Sequence, residues 1–179
     1  MLQIYCTGEF MSAYKQITST FRNEYKERED IVKARLIGWR AESPIIRINR
    51  PTNLSRAREL GYKAKQGVIM ARVKVLKGLS KREKPAKGRK PSKNGRFFAM
   101  AKSLQAIAEE RAARKFINCE VVNSYYVGED GTHKFFEAIL VDREHPAVLR
   151  DRLYGDVASR KSRAFRGLTH AGREHRDYR

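Results

Sequence analysis

Ala13, Ile17, Phe21 and Tyr25 recur every four residues, and with Tyr14 they lay one apolar stripe along residues 12–25. That spacing predicts a helix, with Ser12 as its cap. A second helical stretch runs from Ile31 to Trp39 after the polar run 26–30 and stops near Ser43-Pro44, because the residue before a proline avoids helical geometry. Ile45-Ile46-Arg47-Ile48 predicts a short strand, which Pro51-Thr52-Asn53 breaks. Leu54, Ala57 and Leu60 then mark a short helix ended by Gly61. Val68 to Leu76 alternates cleanly: Ile69, Ala71, Val73 and Val75 share one face, and Arg72 and Lys74 point to the other. Phe98 to Phe116 is the strongest helical pattern, with Leu104, Ile107, Ala108 and Ala112 on one side. Cys119–Val127 and Phe135–Val141 are β-rich runs, and Gly128-Glu129-Asp130-Gly131 between them is a hairpin signal. After His145-Pro146 the pattern weakens, and the last twenty residues show no period. There are no internal repeats.

Four strands with two helices between them predict an α+β sheet domain over 44–148. A helical arm precedes it at 11–43, a long basic loop interrupts it at 77–96, and a basic tail follows at 149–179. At 179 residues this is one domain with one modest core. The N-terminus has neither a basic leader nor a long apolar run, and no segment approaches the ~20 apolar residues of a membrane span. Cys6 and Cys119 form no spacing motif, which argues against a disulfide framework or structural zinc and fits a reducing compartment.

Charge changes this picture most. The formal net charge is +19, and three segments account for it. Residues 50–74 hold seven Lys/Arg against one acid, 77–96 nine against one, and 159–179 seven against two. The rest of the chain is balanced. Charge so one-sided implies a polyanionic partner. Residues 77–96 carry Lys81, Arg82, Lys84, Lys87, Arg89, Lys90, Lys93 and Arg96 among glycines and prolines, with almost nothing apolar to bury. Its functional reading is an extended probe threaded into folded RNA; the plain reading is a solvated linker. Tyr62-Lys63-Ala64-Lys65-Gln66-Gly67 joins a helix to a strand and presents Lys63 and Lys65, with the Tyr62 ring either stacked on a base or in the core. The tail run Arg160-Lys161-Ser162-Arg163-Ala164-Phe165-Arg166 has the same chemistry, and Phe165 either stacks on a base or docks on the protein.

Catalytic chemistry finds little support. There is no phosphate-binding loop, dinucleotide fingerprint or nucleophile elbow. His170 and His175 lack further metal-ligand partners, and Asp142, Glu144 and His145 past the last strand read as turn formers before they read as a nuclease's metal cluster. Homeodomain and zinc-finger spacings are absent.

Three runs carry a resemblance: Tyr62-Lys63-Ala64-Lys65-Gln66-Gly67-Val68-Ile69, the stretch from Lys102-Ser103-Leu104-Gln105 to Ala113-Arg114-Lys115, and Arg163-Ala164-Phe165-Arg166-Gly167-Leu168-Thr169. With Asn123–Gly131 and His145-Pro146-Ala147 they resemble the archaeal and eukaryotic ribosomal protein family fifteen-e, from about Met11 to Arg173. The resemblance implies a four-stranded antiparallel sheet with flanking helices and a helical N-terminal extension. It implies a structural component of the large ribosomal subunit in cytoplasmic ribosomes, with ribosomal RNA and neighbouring ribosomal proteins as partners. It implies no catalysis, cofactor, metal, small-molecule substrate or membrane. Carried over by motif, the RNA contacts are Arg50, Arg56, Lys63, Lys65, the 81–96 loop, Lys102, Arg163, Arg166 and Arg173; tail chemistry adds Arg160 and Lys161. Three features depart from the family. Residues 1–10 precede its usual start and read as an extension or a misassigned start codon. The stretch between Leu149 and Arg160 is shorter and lacks a tryptophan. The final residues carry acids in place of lysines. The alternative function is a free RNA-binding regulator or chaperone, which needs a compact reading surface in place of threaded extensions.

Overall fold

The computed structural model of the chain describes residues 12–27, 30–78, 89 and 102–177. Its centre is the run that alternates best, β2 (Val68–Leu76). This strand lies between β1 (Ile45–Ile48) and β4 (His133–Asp142), and β3 (Cys119–Glu129) closes the far edge, giving the order β1-β2-β4-β3 with every pair antiparallel. The fold is α+β, with helices on both faces of the sheet. Of the expected 77–96 loop, only Lys77, Gly78 and Arg89 fall among the described residues.

The two faces of β2 sort its side chains. Ala71, Val73 and Val75 join Phe136, Ala138 and Leu140 of β4 under α4 (Leu104–Lys115), whose Ala108 and Ala112 are wholly buried. Leu104 and Ile107, expected at the centre of this contact, are only half-buried. Alanine lets the helix approach the sheet closely. On the opposite face, Met70, Phe135 and Ile139 pack with Val32, Leu36 and Trp39 of α2 (Asp30–Ala41). Arg72 also faces this way, gripping Glu42 at 2.7 Å with its guanidinium 4.7 Å from the centre of the Trp39 ring. Lys74 donates to the Arg40 and Glu42 carbonyls, both at 2.9 Å, and so satisfies the C-terminal end of α2.

Caps set most helix starts. Ser12 accepts from the Lys15 N–H ahead of α1 (Ala13–Glu27), as the sequence predicts. Asn53 accepts from the Arg56 N–H to open α3 (Leu54–Glu59). The helix expected from Phe98 begins instead at Leu104, because Ser103 is extended and its hydroxyl accepts from the Ala106 N–H; Phe98–Ala101 lie outside the described residues.

The β3–β4 turn also differs from expectation. Gly128 and Glu129 belong to the strand, and Asp130 makes the turn by accepting from the N–H groups of Thr132 and His133 at 2.8 and 2.6 Å. Gly128 lies at an irregularity in the β3 register, where a Cβ would stand 3.3 Å from the Tyr25 ring and 3.5 Å from Trp39. The glycine serves close packing there, not the turn.

Past β4 the chain is regular, although the sequence shows no period. His145 caps α5 (Pro146–Leu149), Asp151 caps α6 (Arg152–Ser159), and α7 (His170–Asp177) follows a run of turns. Gly67, at a φ of +82°, lets Val148 and His145 pack against the start of β2. Tyr154, Ala158, Ala164, Thr169 and Ala171 are buried, so the described part of the expected tail is packed on the domain.

Buried carboxylates tie these layers together. Glu109 of α4 accepts from Ser124 of β3 and Thr169 ahead of α7, both at 2.5 Å. Glu120 of β3 accepts the N–H groups of Ser162 and Arg163 at 2.7 and 3.2 Å. Glu137 of β4 takes the Thr52 N–H and the hydroxyls of Thr52 and Tyr125. A buried carboxylate without such donors would be strongly unfavourable. Backbone groups of the edge strands are covered too. Arg163 donates to the Val121 carbonyl, Gln105 to that of Ser124, and the Glu129 N–H reaches the Tyr25 hydroxyl. On β1, Lys115 and Ser43 donate to the Ile45 carbonyl.

Candidate nucleic-acid interface

The predicted RNA-contacting cations divide by what they already hold. Arg50, Lys161, Arg166 and Arg173 are exposed, and their side chains make no hydrogen bond or ion pair with another described residue. Arg56, Lys102 and Arg160 are paired with Glu59 at 2.8 Å, Glu110 at 2.5 Å and Asp156 at 2.8 Å. All three cations remain exposed, and a surface pair is worth only about 0–1 kcal/mol. Phosphate can therefore compete for them. Arg89 is exposed; Lys81, Arg82, Lys84, Lys87, Lys90, Lys93 and Arg96 lie outside the described residues.

Lys63 and Lys65 are committed more deeply. Both reach Asp151, at 3.2 and 2.9 Å, and both stand over the Tyr154 ring. The hydrogen bond from Lys65, with those of the Tyr154 N–H and Lys63, holds the Asp151 carboxyl well below the usual carboxylate range. The Tyr154 hydroxyl in turn donates to the Gly61 carbonyl at 2.5 Å. The pair thus anchors α6 to the α3–β2 connection, while Lys63 stays half-exposed and within reach of a phosphate.

Arg163 is turned inward. Its guanidinium donates to the Val121 carbonyl at 2.7 Å and to that of Leu168 at 3.4 Å, and its Nε is enclosed without a partner among the described residues. Burial, followed by the like charge of Arg160, pulls it below the ordinary arginine range. A fork so held positions the 160–168 turns. Of the two aromatics left open by the sequence, Tyr62 packs against the core cluster beneath α2. Phe165 stays 46% exposed, with the Arg114 guanidinium 5.7 Å from its ring centre.

One set of cations was not singled out by sequence reasoning. Lys15, Arg22 and Lys26 of α1 are exposed and without partners among the described residues. Their spacings of seven and four place them on one helix face, a signal readable in the sequence. That face borders a groove against α3. Thr18 meets Ser55 at 2.7 Å across its floor, and the Tyr25 and Tyr126 hydroxyls meet at 2.6 Å at one end. Where Phe21, Arg22, Tyr25 and Lys26 face Asn53, Arg56, Glu59 and Tyr126, the cavity measures about 540 Å³. Arg47, Arg150 and Arg152 are further exposed cations.

The acidic and histidine candidates take structural parts. Asp142 accepts from the Glu144 N–H at 3.0 Å, and His145 Nδ1 accepts from the Ala147 N–H at 3.2 Å. His170 lies 3.5 Å from Glu174, and the His175 side chain is outside the described residues. Among the described residues no group of three or more His, Cys, Asp or Glu is placed to hold a metal ion, and no helix is long and apolar enough to cross a membrane.

The arrangement of cations around an acid-fastened body agrees with what comparison of the sequence finds. A family model described as Ribosomal L15 matches residues 12–179. The Large ribosomal subunit protein eL15 of Metallosphaera sedula is 48% identical over 168 residues, covering 92% of this chain and 77% of that protein. The chain belongs to this ribosomal protein family, the fifteen-e type that its motifs resemble.

Proposed function

We propose that this protein holds folded ribosomal RNA through two described cationic surfaces and the basic stretch 77–96. Family membership makes it a structural component of the large ribosomal subunit and not an enzyme. The first surface is the C-terminal region, where Lys161, Arg166 and Arg173 stand free around the inward-held Arg163. The second is the α1 face with Lys15, Arg22 and Lys26, continued by Arg56. Arg50, Lys63, Lys102, Arg160 and the cations between Lys81 and Arg96 extend the contact. Recognition is by phosphate and 2′-hydroxyl, as double-helical RNA requires. Neighbouring ribosomal proteins are the other partners, and ribosomes of the cytoplasm are the place of action.

The observation that carries this reading is the contrast between acids and bases. Glu109, Glu120 and Glu137 are buried and fully engaged within the fold, whereas Lys15, Arg22, Lys161, Arg166 and Arg173 face solvent unpaired. Positive charge left outside in this way is neutralised when RNA phosphates replace condensed counterions.

The salt dependence of binding to large-subunit RNA tests it. Replacing Lys161, Arg166 and Arg173 together by Ala removes three phosphate contacts, so the log–log salt slope becomes shallower by about 2–3. Thermal unfolding of the RNA-free variant stays at the parental temperature. An unchanged slope would remove these residues from the interface, and a protein absent from large subunits in a sucrose gradient would overturn the assignment.

A further inference from the structure

We infer that the groove between α1 and α3 takes up a single unstacked nucleotide of the RNA, with its base against the aromatic wall and its phosphate on the cationic rim. This rests on the RNA-binding reading above and adds a subsite to it. Three observations converge on a nucleotide. The groove is finite: about 540 Å³ lies within the span of small-ligand sites, about 300–1,000 Å³, whereas a double helix needs an open surface. Its wall is aromatic, with Phe21 and Tyr25 on α1 facing Tyr126 on β3. A flat ring system beside such a wall gains stacking contact whatever the base. Its rim is cationic on balance: Arg22 and Lys26 have no partner among the described residues, and the acid that also lines the groove, Glu59, is held by Arg56 at 2.8 Å.

The same features disfavour other occupants. An apolar helix seated here would cover Arg22 and Lys26 without neutralising them, a strongly unfavourable burial. An acidic peptide would satisfy the cations and leave the rings idle. Only a nucleotide matches both halves of the site.

The wall is also pre-formed. The Tyr25 hydroxyl accepts from the Glu129 N–H at 3.0 Å and meets that of Tyr126 at 2.6 Å, so the two rings are fixed edge to face before any ligand arrives. Little ordering is left for binding to impose.

The full-length protein is irradiated with an unstructured single-stranded RNA decamer carrying 4-thiouridine, and adducts are mapped by mass spectrometry. Adducts are expected on peptides containing Phe21, Tyr25 or Tyr126. The Phe21→Leu variant stays apolar where Phe21 packs beside the α2 cluster and removes the ring; it should bind the decamer about fivefold to tenfold more weakly while still melting cooperatively. Arg22→Ala combined with Lys26→Ala should reduce the groove adducts further. Duplex RNA, which reaches only the outer cations, should bind Phe21→Leu as it binds the parent. RNA binding without groove adducts, and with Phe21→Leu indistinguishable from the parent, would overturn the subsite and leave the wider RNA-binding reading standing. Failure to bind either RNA would take down both. A glutamate-rich peptide that shields the groove from the probe better than unlabelled RNA would assign it to a neighbouring protein and overturn the inference.

Discussion

Replacing Glu120 by Ala tests whether the C-terminal region is part of the domain. Glu120 is 4% exposed and accepts two backbone N–H groups, from Ser162 and Arg163, at 2.7 and 3.2 Å. Hydrogen bonds to a charged acceptor contribute about 1.5–3 kcal/mol each, so the pair supplies about 3–6 kcal/mol gross. Water reaches the freed N–H groups once the segment lifts, which returns part of this and leaves about 2–4 kcal/mol. In a chain of this size 1 kcal/mol shifts Tm by about 2–4 °C, so Tm should fall by about 4–16 °C. Glu120→Gln keeps one acceptor oxygen and should recover about half the loss. The assay is thermal unfolding of the RNA-free protein by circular dichroism, with brief trypsin treatment read by mass spectrometry. Cleavage after Lys161 and Arg163 should accelerate in the Ala variant. A Tm within about 1 °C of the parent, with 160–177 cleaved equally fast in both, would refute the reasoning: surface substitutions change stability by about 0.5 kcal/mol or less, and Glu120 would then behave as one of them.

Two further outcomes follow from the core. Ala108→Asp places an unpaired carboxylate where α4 meets the sheet and should abolish the cooperative melt; Leu104→Asp, at a half-buried position, should lower Tm while leaving the transition intact. Burial raises the Glu109 carboxyl above its ordinary 4.5, outweighing its bonds from Ser124 and Thr169 and the charges of Arg163 and His170. The folded chain therefore keeps this proton at pH values where the unfolded chain has lost it. The stability it confers is full below 4.5 and is lost as pH rises through the elevated folded value. Glu109→Gln should consequently gain on the parent as pH rises above 4.5, measured as the difference in Tm at each pH; a difference that shrinks as pH rises contradicts the assignment.

What could be read from the sequence depended on the length scale of each signal. β2 matches its alternation residue for residue, and the Ser12 cap sits where the sequence places it, because both are local. The start of α4 is not legible because the apolar run at Phe98–Met100 continues the helical pattern, while the Ser103 cap decides the boundary. Gly128 reads locally as a turn residue, whereas its role is to admit Tyr25, a contact across more than 100 positions that no window contains. The C-terminal helices escaped because each has eight residues or fewer and their buried anchors are largely alanines, which give no hydrophobic contrast. Charge counting found the cationic segments but did not separate the free Arg166 from the inward Arg163, three residues apart. The α1 groove depends on the Thr18–Ser55 contact and was likewise invisible.

The coverage of the edge strands bears on the interval between synthesis and assembly. A bare strand margin is a template on which a second chain adds by backbone pairing, and proteins that wait unassembled are exposed to that route to aggregation. Here β1 is only four residues long and bears the exposed Arg47, while β3 has its Val121, Ser124 and Glu129 backbone groups held by Arg163, Gln105 and Tyr25. Arg163, one of the arginines that the family motif assigns to RNA, thus shields the newly made molecule from its own copies.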